Sequence, residues 1–198
     1  MNGAVTMQNN PFTCDDIFTP RSNYAVTKHE VEKGLLKIAA ESDLQVVIIR
    51  PPLIYGRNAP GNFASLLKIL QYGVPLPLGS AIYNRRSFVN LQNLIDFIIT
   101  CINHTKAANQ TFLVSDDDDV STADLIRKIA HIQNVPAHLF PVPIFLLKIL
   151  AKVFGKSDIE QRLLGNLQVD ITKNKTLLGW QPPYTLEEGL RMMSSERQ

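Results

Sequence analysis

Gln45-Val46-Val47-Ile48-Ile49-Arg50-Pro51-Pro52-Leu53-Ile54-Tyr55-Gly56 is the stretch on which the fold turns. Gln45 to Ile49 reads as a strand whose apolar, β-branched residues follow one another without polar alternation. That pattern belongs to a strand buried on both faces, as in a parallel sheet. Pro51, Pro52 and Gly56 then break the run. Upstream, Val26, Glu30, Val31, Leu35, Ile38 and Ala39 mark a helical period from about Asn23 to Glu41, with Ser22 as N-cap. A helix followed closely by a buried strand is one half of a βαβ unit.

Near the start of that helix, Tyr24-Ala25-Val26-Thr27-Lys28 sets a phenol and an ammonium four residues apart. On a helix these positions share a face, one turn apart. A nearby ammonium favours the phenolate, so such a tyrosine can exchange a proton near neutral pH. On spacing alone the better reading is a helix that merely exposes Tyr and Lys.

The composition bounds the rest. Of the 198 residues, 45% are hydrophobic and 19% charged, and the formal net charge is +2. That is a globular balance, neither disordered nor basic enough for a nucleic-acid surface. Cys14 and Cys101 form no metal-spaced pair and no disulfide framework, which fits a reducing compartment. His29, His104, His131 and His138 lack metal-like spacing, so no metal site is expected. Phe140 to Phe154 is the most apolar stretch, yet it is too short to span a bilayer and is interrupted by Lys148 and Lys152. A cytoplasmic protein is expected.

Downstream, helices are expected at Asn62–Tyr72, Gln92–Asn103, Ser121–Gln133, Ile144–Phe154 and Thr185–Met192, and short strands at Ser87–Leu91 and Thr111–Val114. Ser121 with Asp124, and Thr185 with Glu188, have capping-box spacing. Asp116 to Asp119 reads as a solvated turn. Lys173, Asn174 and Lys175 read as a solvated helix face.

Taken together, the Tyr24/Lys28 helix, the strand ending Arg50-Pro51-Pro52-Leu53-Ile54-Tyr55-Gly56, the Gly73–Gly79 stretch, Arg86-Ser87-Phe88-Val89 and Leu177-Leu178-Gly179-Trp180 resemble the extended short-chain dehydrogenase/reductase family, also called the NAD-dependent epimerase/dehydratase family. In that family a YxxxK helix precedes a strand ending in R-P-x-x-x-Y-G. The resemblance implies an α/β fold: the C-terminal part of a Rossmann-type parallel-sheet domain over residues 1–56, and mainly a small α/β substrate-binding lobe over residues 57–198, some of whose segments return to the sheet. It implies NAD or NADP as cofactor, with Tyr24 as acid/base and Lys28 as its electrostatic partner and ribose ligand. Pro51, Leu53 and Ile54 would approach the nicotinamide.

A UDP-sugar is the implied substrate. Arg86 would hold its diphosphate, because a guanidinium stays charged and donates a bidentate fork; a solvated charge beside a strand is the competing reading. Arg162 stands where a second phosphate-binding arginine is expected. Asn62-Phe63 resembles the pair that meets the diphosphate at a helix start. Leu76, Pro77 and Leu78 resemble the stretch that lines the uracil, and Phe88 matches an aromatic of the nucleotide site. Leu53 departs from the family's 4-epimerases, which carry Asn there.

No G-x-x-G-x-x-G occurs in these residues, and Met1-Asn2-Gly3 resembles the end of the family's S-S-x-K-V-x-G segment. The expectation is a truncated copy without the N-terminal Gly-rich part. Its function would be epimerase/dehydratase-type chemistry on UDP-sugars through a 4-keto intermediate. The alternatives are a 4-keto-sugar reductase of surface-polysaccharide synthesis, or a non-catalytic binding module. A homodimer, or pairing with a separately encoded N-terminal part, is the expected assembly.

Overall fold

The computed structural model describes residues 10–14, 16, 23–56, 62–155 and 157–194. The expected cap Ser22 and the Met1-Asn2-Gly3 stretch lie outside the described residues. In chain order the elements are α1 (Asn23–Ala40), β1 (Ile48–Arg50), β2 (Leu53–Tyr55), α2 (Asn62–Gln71), β3 (Phe88–Asn90), α3 (Leu91–Asn103), a 3-10 turn (Thr105–Ala107), β4 (Thr111–Leu113), α4 (Thr122–Ile132), α5 (Ile144–Val153), α6 (Ser157–Leu164), α7 (Thr172–Leu178) and α8 (Leu186–Ser194). The fold is α/β with parallel strand pairing, as expected.

The pairing differs in detail. Among the described residues there are two short parallel pairs: β1 with β4, Ile48 opposite Thr111, and β2 with β3, Leu53 opposite Phe88. The expected strand Gln45–Ile49 is displaced toward Arg50, because Val46 N–H donates to the side chain of Asn109 and the backbone ladder begins with Ile48 N–H on the carbonyl of Gln110. Pro51 and Pro52 lack N–H donors and end β1. The chain then resumes as β2, a strand the sequence reading had treated as a break. Burial on both faces holds only in part: Val46 and Ile48 are buried, whereas Val47 and Ile49 are half-buried.

Two apolar clusters form the core. Phe63, Leu67, Leu70, Leu125, Ile126, Ile129, Leu186 and Leu190 join α2, α4 and α8 to Tyr55 and Phe88. A second cluster joins α3, β4 and α7, with Phe97 edge-on to Phe112 and 4.7 Å from the Trp180 ring. Gly179 supplies the left-handed residue (φ 64°) that ends α7, its N–H returning to the Lys175 carbonyl. That turn delivers Trp180, whose Nε1 donates to Asp96, so the Leu-Leu-Gly-Trp pattern is a helix stop plus a core anchor.

The helix ends follow the expected capping chemistry. Ser121 accepts from Asp124 N–H, and Thr185 exchanges bonds with Glu188 at 2.8 and 3.3 Å. Two expectations are corrected. Asn174 is 1% exposed and donates to the Leu113 carbonyl, Lys173 Nζ donates to the Thr111 carbonyl, and Lys175 pairs with Asp117. The 173–175 stretch is therefore a strut between α7 and β4, not a solvated face. The Asp116–Asp119 turn is not simply solvated either, as described next.

Candidate functional site

α1 is fixed to β1 by the paired Arg50 and Glu32, whose Nη2–Oε2 distance is 2.6 Å with both side chains about four-fifths covered. Glu32 thus ties the middle of α1 to Arg50, the last residue of β1. Tyr24 lies eight residues before Glu32, about 12 Å along the axis at 1.5 Å per residue. Lys28 is exposed between them. Tyr24 belongs to α1 by backbone; its side chain lies outside the described set. Space beyond the carboxyl ends of parallel strands is where open α/β sheets bind ligands.

Pro51 follows β1 directly and is half-buried. Leu53 and Ile54 lie in β2, opposite Phe88 and Val89. Leu53 packs on the first core cluster and Ile54 on the second. Gly56, which closes the same pattern, is buried against the start of α3: a Cβ there would come within 2.8 Å of Leu91 Cβ.

The residues expected around a diphosphate fall into two groups. Phe63 and Phe88 are 5% and 4% exposed and belong to the core, Phe63 stacked on Tyr55 at 5.5 Å. A ligand at the start of α2 would therefore meet backbone N–H groups rather than the Phe63 ring; the side chain of Asn62 lies outside the described set. Arg86 is half-buried, and its Nη1 donates to the carbonyls of Gly165 (3.0 Å) and Gln161 (3.4 Å) at the end of α6. Burial lowers its pKa to about 10, which leaves it charged at neutral pH. A guanidinium has five N–H donors, so these carbonyls do not exhaust it. Arg162, exposed in the last turn of α6, adjoins the same helix end. The structure thus brings Arg86 beside the segment that carries Arg162.

Leu76 pairs with Leu139, and Leu78 is buried in the first core cluster. Pro77, between them, is half-buried. The chain continues into a cleft of about 260 Å³ lined by Ser80, Ala81, Tyr83, Asn84, Ile144, Leu164 and Asn166. Asn84 donates to Thr122 Oγ1, and Asn166 accepts from Arg85 N–H. Tyr83 is 85% exposed. Sequence reading missed these residues; the clue was a run of polar side chains directly before Arg86.

It also missed a buried hub where β2, β3 and β4 end. Tyr55 Oη donates to Asp116 Oδ2 at 2.7 Å, while Asn90 N–H and Asn93 Nδ2 donate to Asp116 Oδ1 at 2.8 and 2.7 Å. Asp119 accepts from Ser87 Oγ and from Gln168 Nε2. Burial, then the Asp116 carboxyl, push the Tyr55 phenol far above its ordinary range, so it donates without ionising.

Burial also holds Asp116 above the usual carboxyl range, against the opposing hydrogen bonds from Asn90, Tyr55 and Asn93. The folded state therefore keeps this proton to higher pH than the unfolded chain. Its contribution to stability is full below the unfolded value of about 3.9 and is lost as pH rises through the raised folded one. Urea titrations across that window should show the wild type losing stability relative to Asp116→Asn as pH rises; parallel profiles would contradict the assignment.

Comparison with known proteins agrees with this architecture. The NAD dependent epimerase/dehydratase family model matches residues 2–115. The chain is 49% identical over 191 residues to a UDP-glucose 4-epimerase from Vibrio cholerae, covering 96% of this chain and 58% of that protein. Among solved structures, UDP-glucose 4-epimerase from Thermotoga maritima with UDP-glucose aligns with a TM-score of 0.73 at 18% identity, over 96% of this chain and 58% of that one. UDP-glucuronic acid 4-epimerase from Bacillus cereus in complex with NAD gives 0.73 at 20% identity, over 96% and 55%. The chain thus spans little more than half the length of these relatives. With the family model covering more than half of its residues, the chain belongs to the NAD dependent epimerase/dehydratase family.

Proposed function

We propose that this chain carries the acid/base helix and the nucleotide-sugar lobe of an enzyme that inverts C4 of a UDP-sugar through a 4-keto intermediate. The observation that carries this reading is that Tyr24 and Lys28 lie one turn apart on α1, the helix that Glu32 ties to Arg50 at the end of β1. The 49% identity to a UDP-glucose 4-epimerase supports it. The donor set suits NAD or NADP: an exposed ammonium one turn along α1 from a tyrosine, on the helix tied by Glu32 to Arg50, which directly precedes the Pro51–Ile54 segment. When bound, that cofactor supplies the hydride acceptor and donor.

Tyr24 takes the proton of the C4 hydroxyl as the C4 hydride leaves, and returns it when hydride comes back on the opposite face. Lys28 stabilises the phenolate form that takes this proton and hydrogen-bonds a ribose. Pro51, Leu53 and Ile54 form an apolar wall beside the reacting carbon and exclude water. Arg86 and Arg162 hold the diphosphate at the end of α6, and the Asn62–Phe63 backbone meets it at the start of α2. The Leu76-Pro77-Leu78 stretch borders the base. Residues 1–56 serve the sheet-and-cofactor part and residues 57–198 mainly the substrate lobe. A cytoplasmic site of action and a homodimer belong to the same proposal.

A second reading, reduction of a 4-keto sugar, is favoured by Leu53, which has no polar group to offer where the 4-epimerases carry Asn. The test is a chimaera in which this chain replaces the matching segment of the V. cholerae relative. Conversion of UDP-glucose to UDP-galactose without added NAD(P)H is the expected result. A folded chimaera that turns over only a 4-keto sugar with NAD(P)H would favour the second reading. One inert toward the whole panel would overturn both.

A further inference from the structure

Helix α5 is apolar on both sides. Ile144, Leu147 and Ala151 form its inward, half-buried stripe, and Leu147 packs on the first core cluster. On the outward side Phe145, Ile149, Leu150 and Val153 are 62, 54, 51 and 74% exposed, and Phe154, just past the helix, is 70% exposed. Phe145, Ile149 and Val153 recur every fourth residue and so form one line. Lys148 and Lys152 border that line along one edge. A water-facing helix normally turns polar residues outward; α5 does the reverse.

We infer that α5 is an interfacial helix whose outward face rests on an anionic lipid surface. Charge selects this occupant over a protein. Between Asp124 and Asp158 the sequence contains no Asp or Glu, while Lys148 and Lys152 stand on the helix and Lys156 follows it in the sequence. An apolar face edged by lysines is the pattern of helices that lie in the headgroup plane, where lysine stems cover apolar surface and the ammonium groups reach lipid phosphates. The helix lies on the surface rather than spanning it: its ten residues reach only about 15 Å, and no helix among the described residues is long and apolar enough to cross a membrane. Helix α3 supplies the contrast. Ile95, Ile98, Ile99 and Ile102 are exposed along one stripe, but Asp96 sits among them and no basic residue occupies its last turn. That stripe carries an acid where α5 carries lysines.

The experiment is co-sedimentation of the purified chain with vesicles of phosphatidylcholine alone or mixed with phosphatidylglycerol. Binding is expected to the phosphatidylglycerol vesicles and to weaken with added salt. It should fall roughly tenfold or more in Lys148→Glu/Lys152→Glu, because each lysine contributes near the surface, and to background in Ile149→Gln/Val153→Gln. Ile99→Gln/Ile102→Gln, on α3, should bind as the wild type does. All substituted side chains are exposed, and circular dichroism of each variant checks that the fold is retained. Absence of binding by the folded wild type overturns the inference, as does equal binding to both vesicle types. Equal loss in the α3 variant also overturns it, as does an oligomer that dissolves in Ile149→Gln/Val153→Gln while vesicles go unbound.

Discussion

Tyr24→Phe, introduced into a chimaera that carries this chain in place of the matching segment of the V. cholerae relative, is expected to lower kcat by about 10² or more with little change in KM. The substitution removes one oxygen and keeps the ring and the helix, so the proton acceptor is lost while nucleotide contacts elsewhere persist. Lys28→Ala should also lower kcat, because the phenolate loses its neighbouring charge, and its pH–rate profile should shift toward higher pH. Arg86→Ala should instead raise KM, since it removes a cation at the end of α6 rather than on α1; part of that loss would reflect a looser α6, whose carbonyls the guanidinium holds. Steady-state kinetics on the three variants with UDP-glucose and UDP-galactose separates these effects. Full kcat in Tyr24→Phe would remove Tyr24 from the chemistry and with it the proposed function.

Much of this arrangement was legible in the sequence because its signals are local. Helical period and capping spacing identified α1 to α5 and α8 to within two residues, and the Tyr24/Lys28 spacing acquired meaning once the Arg50-to-Gly56 strand end followed it. Three features were not legible, for related physical reasons. β2 is three residues long and follows two prolines, so its strand character comes from pairing with Phe88–Asn90 more than thirty residues later. Asn174 sits among lysines, yet α7 turns it inward onto the Leu113 carbonyl. Polarity predicts exposure only when no distant backbone acceptor is waiting. The Asp116–Asp119 run looked solvated because four adjacent acids normally repel, and nothing local announces that Tyr55, sixty-one residues earlier, donates to the first of them.

Asp116→Ala is accordingly expected to be among the most damaging single substitutions, at about 3–5 kcal/mol of unfolding free energy. The carboxylate is 4% exposed and accepts from Tyr55 Oη, Asn90 N–H and Asn93 Nδ2. Removing it takes the acceptor of Asn90 N–H and leaves Tyr55 Oη and Asn93 Nδ2 only the carbonyls of Leu186 and Tyr184, beside a small apolar gap; a buried donor without a partner costs about 1–3 kcal/mol. The donors come from the carboxyl ends of β2 and β3 and from α3, and Asn93 also binds the backbone of Tyr184 ahead of α8. Loss therefore spreads across the joint between the two core clusters. Tyr55→Phe is the calibrating variant: it deletes one donor, keeps the ring stacked on Phe63, and should cost about 1 kcal/mol. In the double variant the two losses should fall short of additive by about 1 kcal/mol, the coupling of a direct buried contact. Urea denaturation of the four proteins at neutral pH measures this cycle. If Asp116→Ala costs about 1 kcal/mol or less, or the losses are strictly additive, the hub does not join the strand ends as described, and the tyrosine of the R-P-x-x-x-Y-G pattern owes its presence to ring packing alone.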